Sequence, residues 1–335
     1  ITRRIWNRMR RGSGWYWIYP PQSPLEGGSW GLQKRKRMHL VEIPEIGYKT
    51  KIPSSLEEMD REQFVFLAGL LYDLNQGKID VSDLKTMLIY KLLNIGHNKE
   101  AYMKLPEEEK FRISENLFYI SEHIDFIFLE DFQEGRPVMK FNFNFVHNPI
   151  PFIPRNIFAG ILRPLQGPAD ALTDITFKQY VDAHAFFEEF SRNETTESLD
   201  KLTAVLFLPK GKKHDMKKLE ARSKRISRLP IGYRFGTYLF YVACEQFLRE
   251  GDVEFEGETI SLKLLYETTI KERELATKQK YNMKASLMSI GFTLAETGIF
   301  GPLEKVMEQN LYDILYLLYR QRISYLNQLE SHDKR

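Results

Sequence analysis

The chain has 335 residues, of which 43% are hydrophobic and 28% charged, enough to bury one large core or two modest ones. Its single cysteine, Cys244, excludes internal disulfides and paired-cysteine metal sites, and a reducing compartment suits it. The net charge of +3 averages two unlike parts: residues 1–37 hold nine Lys or Arg against Glu26 alone, a net +8, which leaves −5 on residues 38–335.

All four tryptophans fall in that same leader, at Trp6, Trp15, Trp17 and Trp30. It shows neither a helical nor an alternating period and is broken by Gly, Pro and Ser, so it cannot present a face to bury and is expected to be mostly disordered. Because the chain begins with Ile and Met38 opens the first regular segment, the leader is read as upstream sequence outside the natural reading frame. The competing reading is a basic, aromatic arm for nucleic acid or an anionic membrane. It lacks the apolar run followed by small residues that marks a signal peptide. The most apolar stretch of the chain, Phe235 to Cys244, covers about half a bilayer span and is flanked by Arg234 and Glu245, so it reads as a buried helix and no membrane partner is expected.

Residues 38–168 read as an N-terminal helical region. "HLVEIPEIGYKTKIP" allows an edge hairpin at most, given its prolines and Gly47. Ser55 to Glu58 has the form of a capping box before the apolar row Phe64, Leu67, Leu71 and Leu74, which Gly77 ends. A second helix opens near Ser82, carries Leu84, Met87, Leu88, Leu92 and Ile95, and ends at Gly96; the short connection predicts a packed pair. Pro106 starts a third helix, with acids in the first turn where the helix dipole favours them and Ile113, Leu117, Ile120, Ile124 and Ile127 as its buried row. Phe141, Phe143 and Phe145 then alternate with Asn, which is strand spacing, before a proline-rich crossover through Pro164 and Pro168.

Residues 169–335 read as a second helical region. Asp174 is placed to cap a helix carrying Phe177, Tyr180, Val181, His184, Phe187 and Phe190, and Leu199, Leu202, Val205 and Leu206 mark the next. Between Pro209 and Pro230, nine Lys or Arg outweigh Asp215 and Glu220, while Met216, Leu219, Ile226 and Leu229 hold the other side of a basic amphipathic helix. The helix from Ile231 to Glu250 is apolar nearly all round and is placed at the centre of this half. "VEFEGETISL" alternates about Glu256-Gly257 as a small hairpin at 253–262. A charged stretch, "TTIKERELATKQK", leads to a closing helical hairpin: Leu287, Met288, Gly291, Leu294 and Ala295, a stop at Gly298, a restart at Gly301-Pro302, and a long helix capped by Asn310 with Asp313. Its stripe runs through Leu311, Ile314, Leu315, Leu318, Arg322, Tyr325 and Leu329. The fold class expected is therefore mainly α, two bundle-like helical halves with minor β-hairpins.

Few residues offer chemistry. The chain has no phosphate-cradling glycine loop, no strained serine elbow and no paired-histidine zinc motif, and no cofactor is expected. His184 and Glu188 are one helical turn apart with Asp182 near, but a metal needs further ligands, and a lone His on an apolar row is more often a satisfied core residue, so no metal is expected. His123 and Asp125 fall on different sides of their helix. The basic segment could neutralise phosphates through Lys217, Lys218, Arg222 and Arg225, yet lacks aromatics for base stacking and serves equally as a solvated face or a dock for an acidic protein.

"LTAVLFLPKGKKHD", the basic run to Leu229, the apolar helix after it, "VEFEGETISL" and above all "AETGIFG" followed by "NLYD" resemble small proteins encoded among bacteriophage and prophage tail genes, over about residues 200–328. That resemblance implies a tail assembly chaperone or related morphogenesis role, in the host cytoplasm or on the particle, with another structural or assembly protein as partner. It assigns no functional residue. From the residues themselves, Tyr312, Tyr316, Tyr319 and Tyr325 supply contact area of the kind interfaces favour; Tyr325 lies on the apolar stripe and is expected in the core, leaving Tyr316 and Tyr319 as candidate partner-binding residues. The expectation is a non-enzymatic interaction factor, with a nucleic-acid-binding module as the alternative and an enzyme with an unrecognised site as the third reading.

Overall fold

The structure, a computed structural model, describes residues 39–43, 48–95, 103–133, 136–255, 257–266 and 283–333. The basic leader, Gly96, Glu256 and the charged stretch at 267–282 lie outside the described residues. The chain is mainly α-helical with small antiparallel sheets, as the periodicity predicts. It falls into two compact units, residues 1–142 with 191–194, and residues 143–190 with 195–335, so the proline-rich segment belongs to the second unit.

In the first unit, β1 (His39–Ile43) and β2 (Tyr48–Ile52) pair as an isolated hairpin. The following helix, α1 (Arg61–Asn75), begins later than the S-L-E-E pattern suggests. Ser55 opens only a single tight turn, which extended backbone at Met59 ends, and the Glu58 carboxylate accepts from Ser54 N–H and Oγ–H. The working capping box is Asp60 with Gln63, and Asp80 with Asp83 makes a second one for α2 (Val81–Leu92). Each satisfies amides that a helix start leaves without partners. That helix stops before Gly96, at Asn94 with φ of 52°. α3 (Glu107–Glu122) follows Pro106, and its row Ile113, Leu117 and Ile120 is only half-buried. Ile124 and Ile127 are buried, but beyond the helix, just before and at the end of the turn Asp125–Ile127.

The strand signal at Phe141–Phe145 is displaced. β3 (Phe128–Gln133) pairs in register with β4 (Arg136–Phe141), and the strand ends where the alternation was expected to begin. Asn142 closes the base of this hairpin: its N–H donates to Ile127 O and its side-chain amide to Phe126 O.

The second unit opens with a small three-stranded sheet in the order β5 (Phe152–Ile153), β6 (Leu165–Gln166), β7 (Leu208–Pro209). Prolines 151 and 154 flank the edge strand, where a missing N–H costs least. α4 (Phe177–Asn193) is capped by Thr176, whose Oγ1 accepts from Gln179 N, while Asp174 instead accepts from Ala169 N. α5 (Thr196–Leu206) packs on α6 (Leu219–Ile226) and on α7 (Ile231–Glu250), the buried centre of this unit. The basic segment is thus a loop, one tight turn at Met216–Lys218 and eight residues of helix, with Met216 exposed instead of in the apolar row. Gly211, at φ of 72°, opens the loop before it.

β8 (Asp252–Phe255) and β9 (Glu258–Ser261) form the expected hairpin. α8 (Met283–Glu296) ends toward Gly298, which takes φ of 72° where a side chain would be strained. A short helix not anticipated, α9 (Leu303–Glu308), separates it from α10 (Leu311–Asp333). Asn310 caps α10 by accepting from Tyr312 N, but its own amide donates to Thr173 O instead of pairing with Asp313. Phe177 N donates to Gln309 O and Leu311 N to Ile175 O, so the starts of α4 and α10 are stitched together.

Candidate functional site

The densest polar chemistry in the second unit is buried between α4 and α7. α4 has a narrow apolar stripe, and His184 lies on it, packed among the rings of Tyr180, Phe187 and Tyr241. The imidazole is only 1% exposed. Its Nδ1–H donates to Glu245 Oε1 at 3.1 Å, and its Nε2 stands 3.6 Å from Glu188 Oε1. Arg249 reaches the second oxygen of Glu245 at 3.8 Å. Burial by itself pushes the imidazole pKa down, but the bond to Glu245 and the charges of Glu245 and Glu188 outweigh it, so His184 binds its proton more tightly than usual. Burial acts to raise Glu245, and His184, Arg249 and Tyr241 together hold it below the ordinary carboxylate value. Burial, with the Glu245 charge beside them, drives the Tyr180 and Tyr241 hydroxyls well above the normal phenol range and pushes Tyr266 up to about 12. The arrangement sets a buried imidazole between two carboxylates, hydrogen-bonded to Glu245 and 3.6 Å from Glu188, whose side chain is 20% exposed.

Asp182 does not join His184. Its carboxylate takes His214 Nε2–H at 2.9 Å and lies 3.5 Å from Lys178 Nζ. On the far side of the His214 ring, Arg222 Nη2 stands 3.4 Å from Nδ1 and 3.3 Å from Asp215 O, while its Nε donates to Ala204 O. Arg222 is therefore a structural clamp joining α5, α6 and the loop between them, and burial pulls its pKa down. His184 with Glu188 and the nearby Asp182, weighed from the sequence as a metal site and not expected to be one, are thus split between two clusters, and among the described residues no group of three His, Cys, Asp or Glu is arranged to hold an ion. A third internal pair, Arg234 with Asp200 at 2.8 Å, ties α7 to α5. In the first unit, the His123 ring lies tilted against that of His39 and Asp125 pairs with Lys85, so those two do not act together.

Of the four basic residues singled out, Lys217, Lys218 and Arg225 are exposed; Arg222 is consumed internally, which its place in a run of like charges did not suggest. On α10, Tyr316 stacks on Phe255 of β8, centroids 4.2 Å apart and nearly parallel, and Tyr312 is buried with its hydroxyl donating to Ala171 O at 2.7 Å. Tyr319 is half-buried. Contrary to the stripe reading, Tyr325 is 41% exposed, with the Arg322 guanidinium 5.6 Å over its ring. No helix of the described residues is long and apolar enough to cross a membrane. Glu245 went unnoticed as a partner because 61 residues separate it from His184; its one legible sign is a carboxylate set in a helix otherwise apolar through its middle.

Comparison with known proteins adds no relative: no family model, curated protein or solved structure matches the chain.

Proposed function

We propose that this chain is a non-enzymatic protein–protein interaction factor in the assembly of a bacteriophage or prophage tail or particle, acting on another structural or assembly protein. The observation that carries the reading is the outer part of α10, where Tyr325 is exposed under Arg322 and Tyr319 is half-buried, whereas Tyr316 is stacked on Phe255 of the hairpin. Tyrosines give large contact area at low entropic cost, and arginine beside them is the composition of interface centres. The resemblance of residues 200–328 to phage tail-gene proteins supplies the setting. Affinity purification of residues 38–335 from cells assembling particles, with salt washes, tests it. Retention of a tail-tube or tape-measure type protein, lost on replacing Tyr319 and Tyr325 by Lys, is the expected result. Unchanged retention by the folded double variant would remove α10 from the proposal.

A second reading is nucleic-acid binding, favoured by the exposed Lys217, Lys218 and Arg225. It requires that affinity fall steeply with salt and with neutralisation of those three. Recovery of salt-labile, nuclease-sensitive nucleic acid with no structural protein would replace the first reading by this one.

A further inference from the structure

Two surfaces, one in each unit, are complementary in sign and in apolar character. The first is the loop between β5 and β6. Asn156 and Ile161 exchange both backbone hydrogen bonds, Asn156 Oδ1 accepts from Ala159 N, and Gly160 takes φ of 72°. This tight turn buries Ala159 and Ile161 and thereby forces Ile157, Phe158 and Leu162 outward; Phe158 is 96% exposed. A rigid apolar knuckle of this kind loses little entropy on docking. Arg155 and Arg163 flank it and are exposed. From α6 and the residues after it, Arg225 Cγ and Arg228 Nη1 come within 3.8 and 4.0 Å of the β-carbon position at Gly160. None of the four arginines has a carboxylate partner among the described residues, and no Asp or Glu occurs between Arg136 and Ala169.

The second surface is the outer face of α3. Phe111 and Phe118, seven residues apart, are 71% and 63% exposed. Glu108, Glu115 and Glu122 share that arc at the same spacing, are exposed, and pair with no cation among the described residues. The opposite side of the helix carries the half-buried Ile113, Leu117 and Ile120, so the aromatic and acidic face is the one left over.

We infer that the chain self-associates head to tail, the Ile157–Phe158–Leu162 knuckle of one copy seating on the Phe111–Phe118 face of the next, with the arginine collar against Glu108, Glu115 and Glu122. The two surfaces differ, so the contact is heterologous and leads to rings or open chains instead of a closed two-fold dimer. The patches are small, and the association is accordingly weak, concentration-dependent and sensitive to salt. This inference stands independently of the partner proposed for α10.

Sedimentation of the full chain over a range of concentrations tests it. At about 50 mM salt the average mass should rise from 39.6 kDa beyond that of a dimer, and at about 500 mM it should return to the monomer. Phe158→Asp, the pair Arg155→Glu with Arg163→Glu, and the triple Glu108→Lys, Glu115→Lys, Glu122→Lys should each weaken association at least tenfold. An equimolar mixture of the charge-reversed pair and the charge-reversed triple should associate again, because each restores an opposite-signed partner to the other; a misfolded variant could not do so. A wild-type chain that stays monomeric at every concentration, a Phe158→Asp variant that associates normally, or a mixture that stays monomeric would each overturn the inference.

Discussion

His184 and Glu245 show how a single buried pair sets a pH window. The His184 pKa is raised above its ordinary 6.5, so its contribution to stability is complete below pH 6.5 and is lost as pH rises through the higher folded value. Glu245 is lowered from 4.5, so its contribution is complete above pH 4.5 and is lost as pH falls through the lower folded value. The pair therefore contributes most between pH 4.5 and 6.5. The urea midpoint of the wild type should fall between pH 6 and 9, and His184→Gln should flatten that limb; a parallel slope in the variant would show that other groups govern it. Glu245→Ala leaves His184 without its main partner in a dry site and should cost about 3–5 kcal/mol in denaturant unfolding at pH 6. The helical row correctly placed His184 in the interior, since periodicity reports which face is buried. It was silent on Glu245, because a contact across 61 residues leaves no local pattern. Tyr325 failed for the converse reason: stripe position says which side of a helix faces inward, not how far along the helix a neighbour extends.

At the scale of elements, the sequence was most legible where the signal is local and chemically forced. The hairpin at 252–261, the stop at Gly298 and the cap at Asn310 are of this kind. Caps with competing candidates were less so: Ser55 and Asp60 both satisfy the capping pattern, and the extended backbone at Met59 decides between them. β3 was missed because Phe128–Gln133 shows no clean alternation and gains its strand state from pairing with β4. Asn310 does two things, capping α10 and donating to Thr173 O beside the start of α4, and substitutions can separate them. Asn310→Asp keeps the cap acceptor and loses the amide donor; Asn310→Ala loses both. The expected order in thermal unfolding is wild type, then Asp, then Ala, with the Ala variant about 1–2 kcal/mol below wild type. Equal loss in both variants would assign the whole effect to the bond to Thr173.

For the whole molecule, the division into two units has an energetic consequence, since each has its own fully buried residues. Phe64, Leu67, Leu84 and Leu88 core the first; Phe177, Leu199, Phe240 and Tyr241 core the second. The chain has one cysteine, so a thiol label reads a single position. Cys244 reports on the second core: it is fully buried, and burial, then the charge of Glu245, drives its thiol pKa well above the usual range. In the native state the thiol should be inert to iodoacetamide and become reactive only when the second unit opens. Leu88→Ala removes packing from the first core alone and should cost about 2–5 kcal/mol there. Amide exchange in α1 and α2 should then accelerate while Cys244 labelling in sub-denaturing urea keeps its wild-type rate. Leu202→Ala, buried in α5 of the second unit, should do the reverse. If either variant accelerates both readouts equally, the two cores open as one cooperative body, and the boundary at Asn142 divides contacts without dividing stability.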